Sequence, residues 1–330
     1  MKTSHVYGPV PSRRLGLSLG VDILPHKTCS FDCIYCQLGR SDRKSGRRGR
    51  YFSAPEILGQ VREAVDKNPR IDHITFSGSG EPTLNIRIGK LIREIKKMTA
   101  IPVVVLTNSS LLSCPAVRRA LGAADVVIPS LDAATAPSFR RINRPLPSIK
   151  VEDILTGLEL FRRGFPGQIW LEIMLVKGIN DSPDNIKALK KAIARIRPDR
   201  IQLNTVVRPP AEKWARPLSS AELKRIAKEL GDRAEAVAHF RRRPSSSGVA
   251  RDLETAILAM AGRRPMTLDD ISSSLGRKRD EIRPHLETLL RRRRIRRQRH
   301  KGAVYYSAAE PARGEAGPRA RSQGKSRGEN

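Results

Sequence analysis

The sequence predicts an α/β protein: a largely parallel sheet with helices between its strands, followed by a small module of different construction. Three observations predict it. Six apolar runs of strand length recur between residues 17 and 207, amphipathic helical patterns fill the gaps, and the alternation stops at a stretch rich in arginine, proline and serine. The runs are LSLGVDIL (17–24), HITFSGS (73–79), PVVVLTN (102–108), DVVIPSLD (125–132), IWLEIMLV (169–176) and RIQLNTVV (200–207). They are continuously apolar, which suits strands buried on both faces of a parallel sheet. Between them, Ser53-Ala-Pro-Glu56 reads as a capping box opening a helix with Ile57, Val61 and Val65 on one face. Ile88, Leu91, Ile92 and Ile95 mark another helical stripe. Periodicity alone leaves barrel and open sheet both standing.

These signals place a core over 1–240, a linker at 241–249 (Arg241-Arg-Arg-Pro-Ser-Ser-Ser-Gly248 lies across it), a module over 250–307 and a basic, disordered tail over 308–330. Leu253, Ile257 and Met260 mark the module's first helix. Thr267-Leu-Asp-Asp270 caps a second that ends at Gly276. Ile282, Leu286, Leu289 and Leu290 stripe a third, in which Pro284 is expected in the first turn. IRRQRHKGAVYYS then reads as a hairpin turning at His300-Lys-Gly302, so the module is expected to be a winged helix-turn-helix.

With 63 Lys and Arg against 33 Asp and Glu, the chain carries a formal charge of +30. Such an excess favours contact with phosphate backbones through counterion release. Between Arg277 and Lys301, twelve basic residues face three acidic ones, while the remaining +21 is spread over the rest of the chain. Arg277, Arg279, Arg296, Arg297, Arg299 and Lys301 are the candidate nucleic-acid contacts, flanked by Arg291 to Arg294 and His300. A peptide or protein substrate docked on the module is the alternative partner. No run of 18 apolar residues and no signal-like N-terminus is present, so a cytoplasmic protein without membrane partners is expected.

Four cysteines in a long cytosolic chain do not suggest a disulfide framework. Three of them, Cys29, Cys33 and Cys36, sit in CSFDCIYC, in a loop straight after the first strand. Three thiolates leave a structural zinc site one ligand short, unless His26 or Cys114 completes it. In a four-iron cluster the missing ligand leaves one iron open to a small molecule. The loop falls at the C-terminal end of the sheet, where α/β ligand sites lie.

Cys29, Cys33 and Cys36, the aromatic Tyr35 before the third cysteine, and GSGEP (78–82) after the second strand together resemble the radical S-adenosylmethionine superfamily over roughly residues 10 to 210. The first half is similar to a short-core group of uncharacterised iron–sulfur oxidoreductases, distantly like the tRNA wybutosine-synthesis enzyme. The resemblance implies a partial (β/α)6 TIM-type barrel, a [4Fe–4S] cluster on the three cysteines, and S-adenosylmethionine on the open iron. It implies reductive cleavage to a 5′-deoxyadenosyl radical, with an electron donor such as flavodoxin or ferredoxin. It places Tyr35 near the adenine and gives Gly78, Ser79, Gly80, Glu81 and Pro82 the methionine amino group. Asn108, Ser130 and Asp132 fall where related enzymes contact ribose and carboxylate. Ser79 stands where the family's Gly-Gly-Glu-Pro has its first glycine. Glu172 and Asn204 are weaker candidates, Cys114 is read as incidental, and no auxiliary cluster is expected. The N-terminal GPVPSRRLGLSLGVD, with Arg13-Arg14, reads as either a substrate-contacting lip or a plain loop. A cluster-bearing transcription regulator without catalysis is the remaining alternative, and it would have no use for GSGEP.

Overall fold

The computed structural model describes residues 4–237 and 253–309, apart from 13, 42 and 69. The expected linker 241–249 and the tail beyond residue 309 lie outside the described residues. Eight strands form one sheet in strict chain order: β1 (Val6–Ser12), β2 (Gly16–Val21), β3 (His73–Phe76), β4 (Val103–Thr107), β5 (Val126–Pro129), β6 (Gln168–Leu175), β7 (Arg200–Thr205) and β8 (Ala234–Ala236). Neighbours from β2 to β8 run parallel, and β1 runs antiparallel to β2. All six expected strands are present, shortened at their C-terminal ends where the functional loops begin.

The helices are α1 (Ala54–Lys67), α2 (Ile88–Met98), α3 (Pro115–Leu121), α4 (Ala136–Asn143), α5 (Val151–Gly164), α6 (Pro183–Ile196) and α7 (Ser220–Leu230). Unreversed strand order with right-handed crossovers keeps them all on one face. A doubly wound sheet would reverse its order and distribute helices on both faces. The sheet therefore curls around its helix-free face as a partial barrel, which settles what periodicity left open. Burial follows the same division. Leu19, Val21, Ile74, Phe76, Val103, Val105, Val127, Leu171, Ile173 and Leu203 belong to the large cluster beneath the helices. On the inner face, Leu15, Val104, Val126, Ile128 and Trp170 form a separate apolar floor. Above that floor the alternate positions become polar, beginning with Ser18 and Thr75. The barrel is thus closed by side chains at one end and chemically open at the other.

Two strands were not legible. The N-terminal segment is not a plain loop: it contains the edge strand β1, and its Val10, Ser12, Arg14 and Leu15 line the cavity at the open end; β8 is three residues long. Ser53 is the N-cap of α1 without a side-chain cap hydrogen bond. The expected capping box does not form, and Glu56 instead lies 3.8 Å from His5.

From residue 253 onward come α8 (Leu253–Ala261), β9 (Met266–Thr267), α9 (Leu268–Leu275), α10 (Arg279–Arg291), β10 (Ile295–His300) and β11 (Ala303–Ala308). Thr267 and Asp270 form the expected capping box, and Gly276 takes the left-handed conformation after α9. Lys301 and Gly302, both at positive φ, make the two-residue hairpin turn between β10 and β11. Pro284 lies in the second turn of α10 rather than the first. It is exposed there, so water can satisfy the carbonyl that its missing N–H leaves behind.

This module does not stand apart from the barrel. Its apolar core (Ile257, Met260, Met266, Ile271, Leu275, Ile282, Leu286, Leu289 and Ile295) is completed by Tyr7 and Val10 of β1. The hairpin adds Lys301 Nζ to the Val206 carbonyl at 2.7 Å and Tyr305 Oη to the Val207 carbonyl at 3.1 Å. Among the described residues, no helix is long and apolar enough to cross a membrane. Both tryptophans, Trp170 and Trp214, lie in the barrel. Replacing Ile271 with Ala should cost about 2–5 kcal/mol and lower the urea midpoint reported by tryptophan fluorescence. An unchanged midpoint would mean that the module's packing on β1 contributes nothing to the barrel.

Candidate functional site

The cysteine loop leaves β2 after Asp22 and is held on two sides. On one side Glu81 N–H donates to the Thr28 carbonyl at 3.0 Å, and Thr28 pairs with Gly80 as an isolated bridge. A Cβ at Gly80 would sit 1.9 Å from the Thr28 carbonyl oxygen, so only glycine lets the two backbones meet. On the other side Ile34 N–H donates to the Ile142 carbonyl at 3.0 Å, at the end of α4. Cys29, Cys33 and Cys36 are free thiols, partly buried. Burial pushes the Cys29 thiol up to about 12 and Cys33 well above its ordinary value, with the Asp132 charge adding to the latter. Polar hydrogens already face the sulfurs: Asn108 Nδ2 at 3.5 Å from Cys29, Asn143 Nδ2 at 3.4 Å from Cys33, and Lys27 Nζ at 3.5 Å from Cys36.

Among the described residues, no three His, Cys, Asp or Glu side chains are grouped to hold a single metal ion. A cubane, taking each thiolate on a different iron, spreads its ligands more widely, and the donor set of three thiols fits it. Cys114 is the N-cap of α3, and His26 is exposed.

The GSGEP turn is fixed by carboxylates. Asp22 accepts from Ser79 N–H at 3.2 Å and from Ser79 Oγ at 2.5 Å. Gly78, at φ +137°, passes so close that its Cβ would lie 2.6 Å from the Asp22 carboxyl carbon. Glu81 is 2% exposed and accepts from Thr83 N–H, Thr83 Oγ1, Thr107 Oγ1 and Asn108 N–H at 2.6–3.1 Å. Burial raises its pKa against these donors. Pro82 opens the short 3-10 turn that Glu81 caps. Glu81 therefore ties the turn to the end of β4.

A cavity of about 320 Å³ opens beside the loop, at the polar end of the barrel. Tyr35, Cys36, Gly78, Ser130 and Asp132 line it, so the structure brings these five predicted residues together. Cys29, Cys33, Ser79, Gly80, Glu81 and Pro82 are not among its lining residues, and Asn108 joins Tyr35, Ser130 and Asp132 around a small second cavity. Tyr35 Oη donates to Asp132 at 2.5 Å, and Asn143 and the Met174 N–H complete that carboxylate's partners. Burial pushes the Asp132 carboxyl up to about 6 despite these donors, and Tyr35 well above its usual range. Glu172 faces inward to the cavity, pairs with Arg14 at 2.7 Å and accepts from Asn204 at 2.6 Å. The far wall contains Tyr7, Arg208, Arg263 and Arg264, the last two from the turn between α8 and β9. Sequence reasoning missed Asp22, Asn143 and the module's arginines. Asp22 alone had a signal, as a carboxylate ending an apolar strand.

Of the basic candidates, Arg296, Arg297 and Arg299 are exposed along β10. Arg277 pairs with Glu281, and Arg279 with Asp269. Lys301 docks the hairpin on the barrel, as described above. The exposed face of α10 mixes Arg279, Arg283 and Arg291 with Asp280, Glu281 and Glu287.

A parallel barrel with three cysteines and a glycine turn at its open end defines a class of cluster-binding α/β proteins. The family model of the Radical SAM superfamily matches residues 23–189, and the chain belongs to that superfamily. The family implies a [4Fe–4S] cluster and S-adenosylmethionine as its cofactors. The chain is 39% identical over 312 residues to a protein named GTPase Obg from Brachyspira hyodysenteriae, covering 93% of this chain but 45% of that one. It is 33% identical over 313 residues to a UPF0026 protein of Helicobacter pylori, covering 92% of this chain and 97% of that protein. A dual-specificity RNA methyltransferase RlmN of Caulobacter is 28% identical over 205 residues, 53% of this chain and 45% of the other.

Replacing Glu81 with Ala leaves its buried donors without an acceptor, on the order of 1–3 kcal/mol for each. Thermal melting of the cluster-free chain should therefore fall for this variant before any cofactor is added. Unchanged melting, with cofactor binding lost, would mean that Glu81 acts on the cofactor and not on the fold of the turn.

Proposed function

We propose that this chain is a radical S-adenosylmethionine enzyme that modifies an RNA or other nucleic-acid substrate. The observation that carries the chemistry is the meeting of the cysteine loop and the GSGEP turn at Thr28 and Gly80, beside a cavity that Cys36 and Gly78 line. Cys29, Cys33 and Cys36 would hold the cluster, and Gly78 to Pro82 with Tyr35, Ser130 and Asp132 would hold S-adenosylmethionine. Bound together, these groups supply one-electron reductive cleavage of the sulfonium, with the electron coming from a donor such as flavodoxin or ferredoxin. The chain's own part is positional. Thr28 and Gly80 lock the two loops, Asp22 and Glu81 hold the turn from behind, and the apolar floor beneath the cavity excludes water from the reacting end. Asp132 fixes the Tyr35 hydroxyl and thereby its ring at the cavity wall.

The nucleic-acid substrate is supported by the charge of +30 and by the exposed Arg296, Arg297 and Arg299. The likeness to an RNA methyltransferase points the same way. We read the C-terminal module as a winged helix whose hairpin, not its third helix, meets phosphate, because α10 presents acids and bases in nearly equal number. The domain limits 1–240, 250–307 and 308–330 belong to the same proposal.

Anaerobically reconstituted protein should bind about four irons and four sulfides. Cys29→Ala, Cys33→Ala and Cys36→Ala should each abolish the cluster, and Cys114→Ala should not. With dithionite, the intact chain should release 5′-deoxyadenosine and methionine; stoichiometric zinc in place of iron would overturn the assignment.

Changing Arg296, Arg297 and Arg299 together to Ala should flatten the plot of log K against log salt for duplex RNA by about two to three units. Removing three arginines from α3 to α6 should do far less. Equal effects would leave the charge without a location and favour a peptide docked on the module.

A further inference from the structure

The module reaches the cofactor turn directly. Arg263 follows α8 and points back across β1 into the barrel, its side chain 15% exposed. Its Nε donates to Asp22 Oδ2 at 3.1 Å, Nη1 to the Ala259 carbonyl at 2.7 Å, and Nη2 to the Ser4 carbonyl. The guanidinium also lies over the Tyr7 ring, 5.1 Å from its centroid. Every donor group named here is engaged, so Arg263 is held in one place by both units. The carboxylate it meets, 4% exposed, is the same one that takes the Ser79 hydroxyl and N–H.

We propose that Arg263 is a positioning residue of the S-adenosylmethionine site, acting through Asp22 and Ser79, so that cofactor affinity depends on docking of the C-terminal module. This rests on the functional reading above. A buried carboxylate without a cationic partner is costly and turns toward other donors or water. Without Arg263, Asp22 no longer has one fixed orientation, and the turn it anchors loses its own. Ser79, the departure from the family's glycine, is what makes the link strong: glycine would leave only the 3.2 Å backbone contact. Coupling of this kind is reciprocal. Cofactor binding then tightens the module on β1, and a substrate that displaces the module loosens the cofactor.

The test is equilibrium binding of S-adenosylmethionine to the reconstituted full chain and its variants, with circular-dichroism melting to establish that each is folded. Arg263→Gln should weaken binding about tenfold, within the usual range for coupled sites. In a chain that also carries Ser79→Gly, the same change should weaken it by about threefold or less, since the link is already cut. Hydrogen exchange supplies a second readout. S-adenosylmethionine should slow exchange of α8 amides in the wild type and not in Arg263→Gln. Should Arg263→Gln fail to fold, Ser79→Gly alone must abolish that slowing. Equal binding by wild type and Arg263→Gln, or losses that multiply independently in the double variant, would overturn the inference. A wild type that binds no S-adenosylmethionine would instead bring down the functional reading on which it rests.

Discussion

The close approach of Thr28 and Gly80 is the constraint on which the rest of the site depends. Two loops, one after β2 and one after β3, must touch backbone to backbone if cysteines from the first are to face a turn from the second. Parallel strands bring their C-terminal ends to the same rim, but neighbouring strands alone do not make their loops meet. Here the meeting is made by an N–H from Glu81 to the Thr28 carbonyl and by the missing Cβ of Gly80. The flanking carboxylates then act as anchors. Asp22 holds the turn at Ser79, and Glu81 holds it to β4 through Thr107 and Asn108. Each carboxylate is buried, and each has enough donors to make burial tolerable.

Much of this was legible because it is local. The six apolar runs name β2 to β7, since a parallel strand is buried on both faces and needs no partner's identity to be recognised. The cysteine spacing and GSGEP are short motifs whose meaning survives without coordinates. Thr267-Leu-Asp-Asp270 and Gly276 bracket α9 by capping chemistry contained within ten residues. Where an expectation failed, a longer-range contact intervened. Ser53 and Glu56 match the pattern of a capping box, but Glu56 faces His5, just before the edge strand β1. Lys301 belongs to the basic hairpin in sequence, yet its ammonium bonds the carbonyl of Val206.

The least legible feature is the union of module and barrel. A linker-like composition near residue 245 carries no information on whether the units on either side of it pack together. That depended on β1, whose prolines and glycines conceal a strand. Tyr7 and Val10 complete the module's core, while the same strand pairs with β2, which delivers Asp22. One antiparallel edge strand therefore serves both units, covering the edge of the sheet and supplying the floor on which the module sits.

This shared strand also changes how the basic excess must be understood. Were the module tethered only through a linker, its charge would simply raise the local concentration of nucleic acid near the barrel. Because it is seated on β1, with Arg263 and Arg264 in the cavity wall, its orientation relative to the reacting end is fixed. The exposed arginines of β10 lie on a hairpin pinned to the loop after β7 by Lys301 and Tyr305. On the nucleic-acid reading proposed above, a strand of phosphates along β10 would be held at a set position from the cavity mouth. Binding energy gathered at a distance can then be used to orient the group that reacts. An unpinned module would give affinity without that orientation. The pinning contacts, rather than the total charge, are what connect the basic surface to the chemistry.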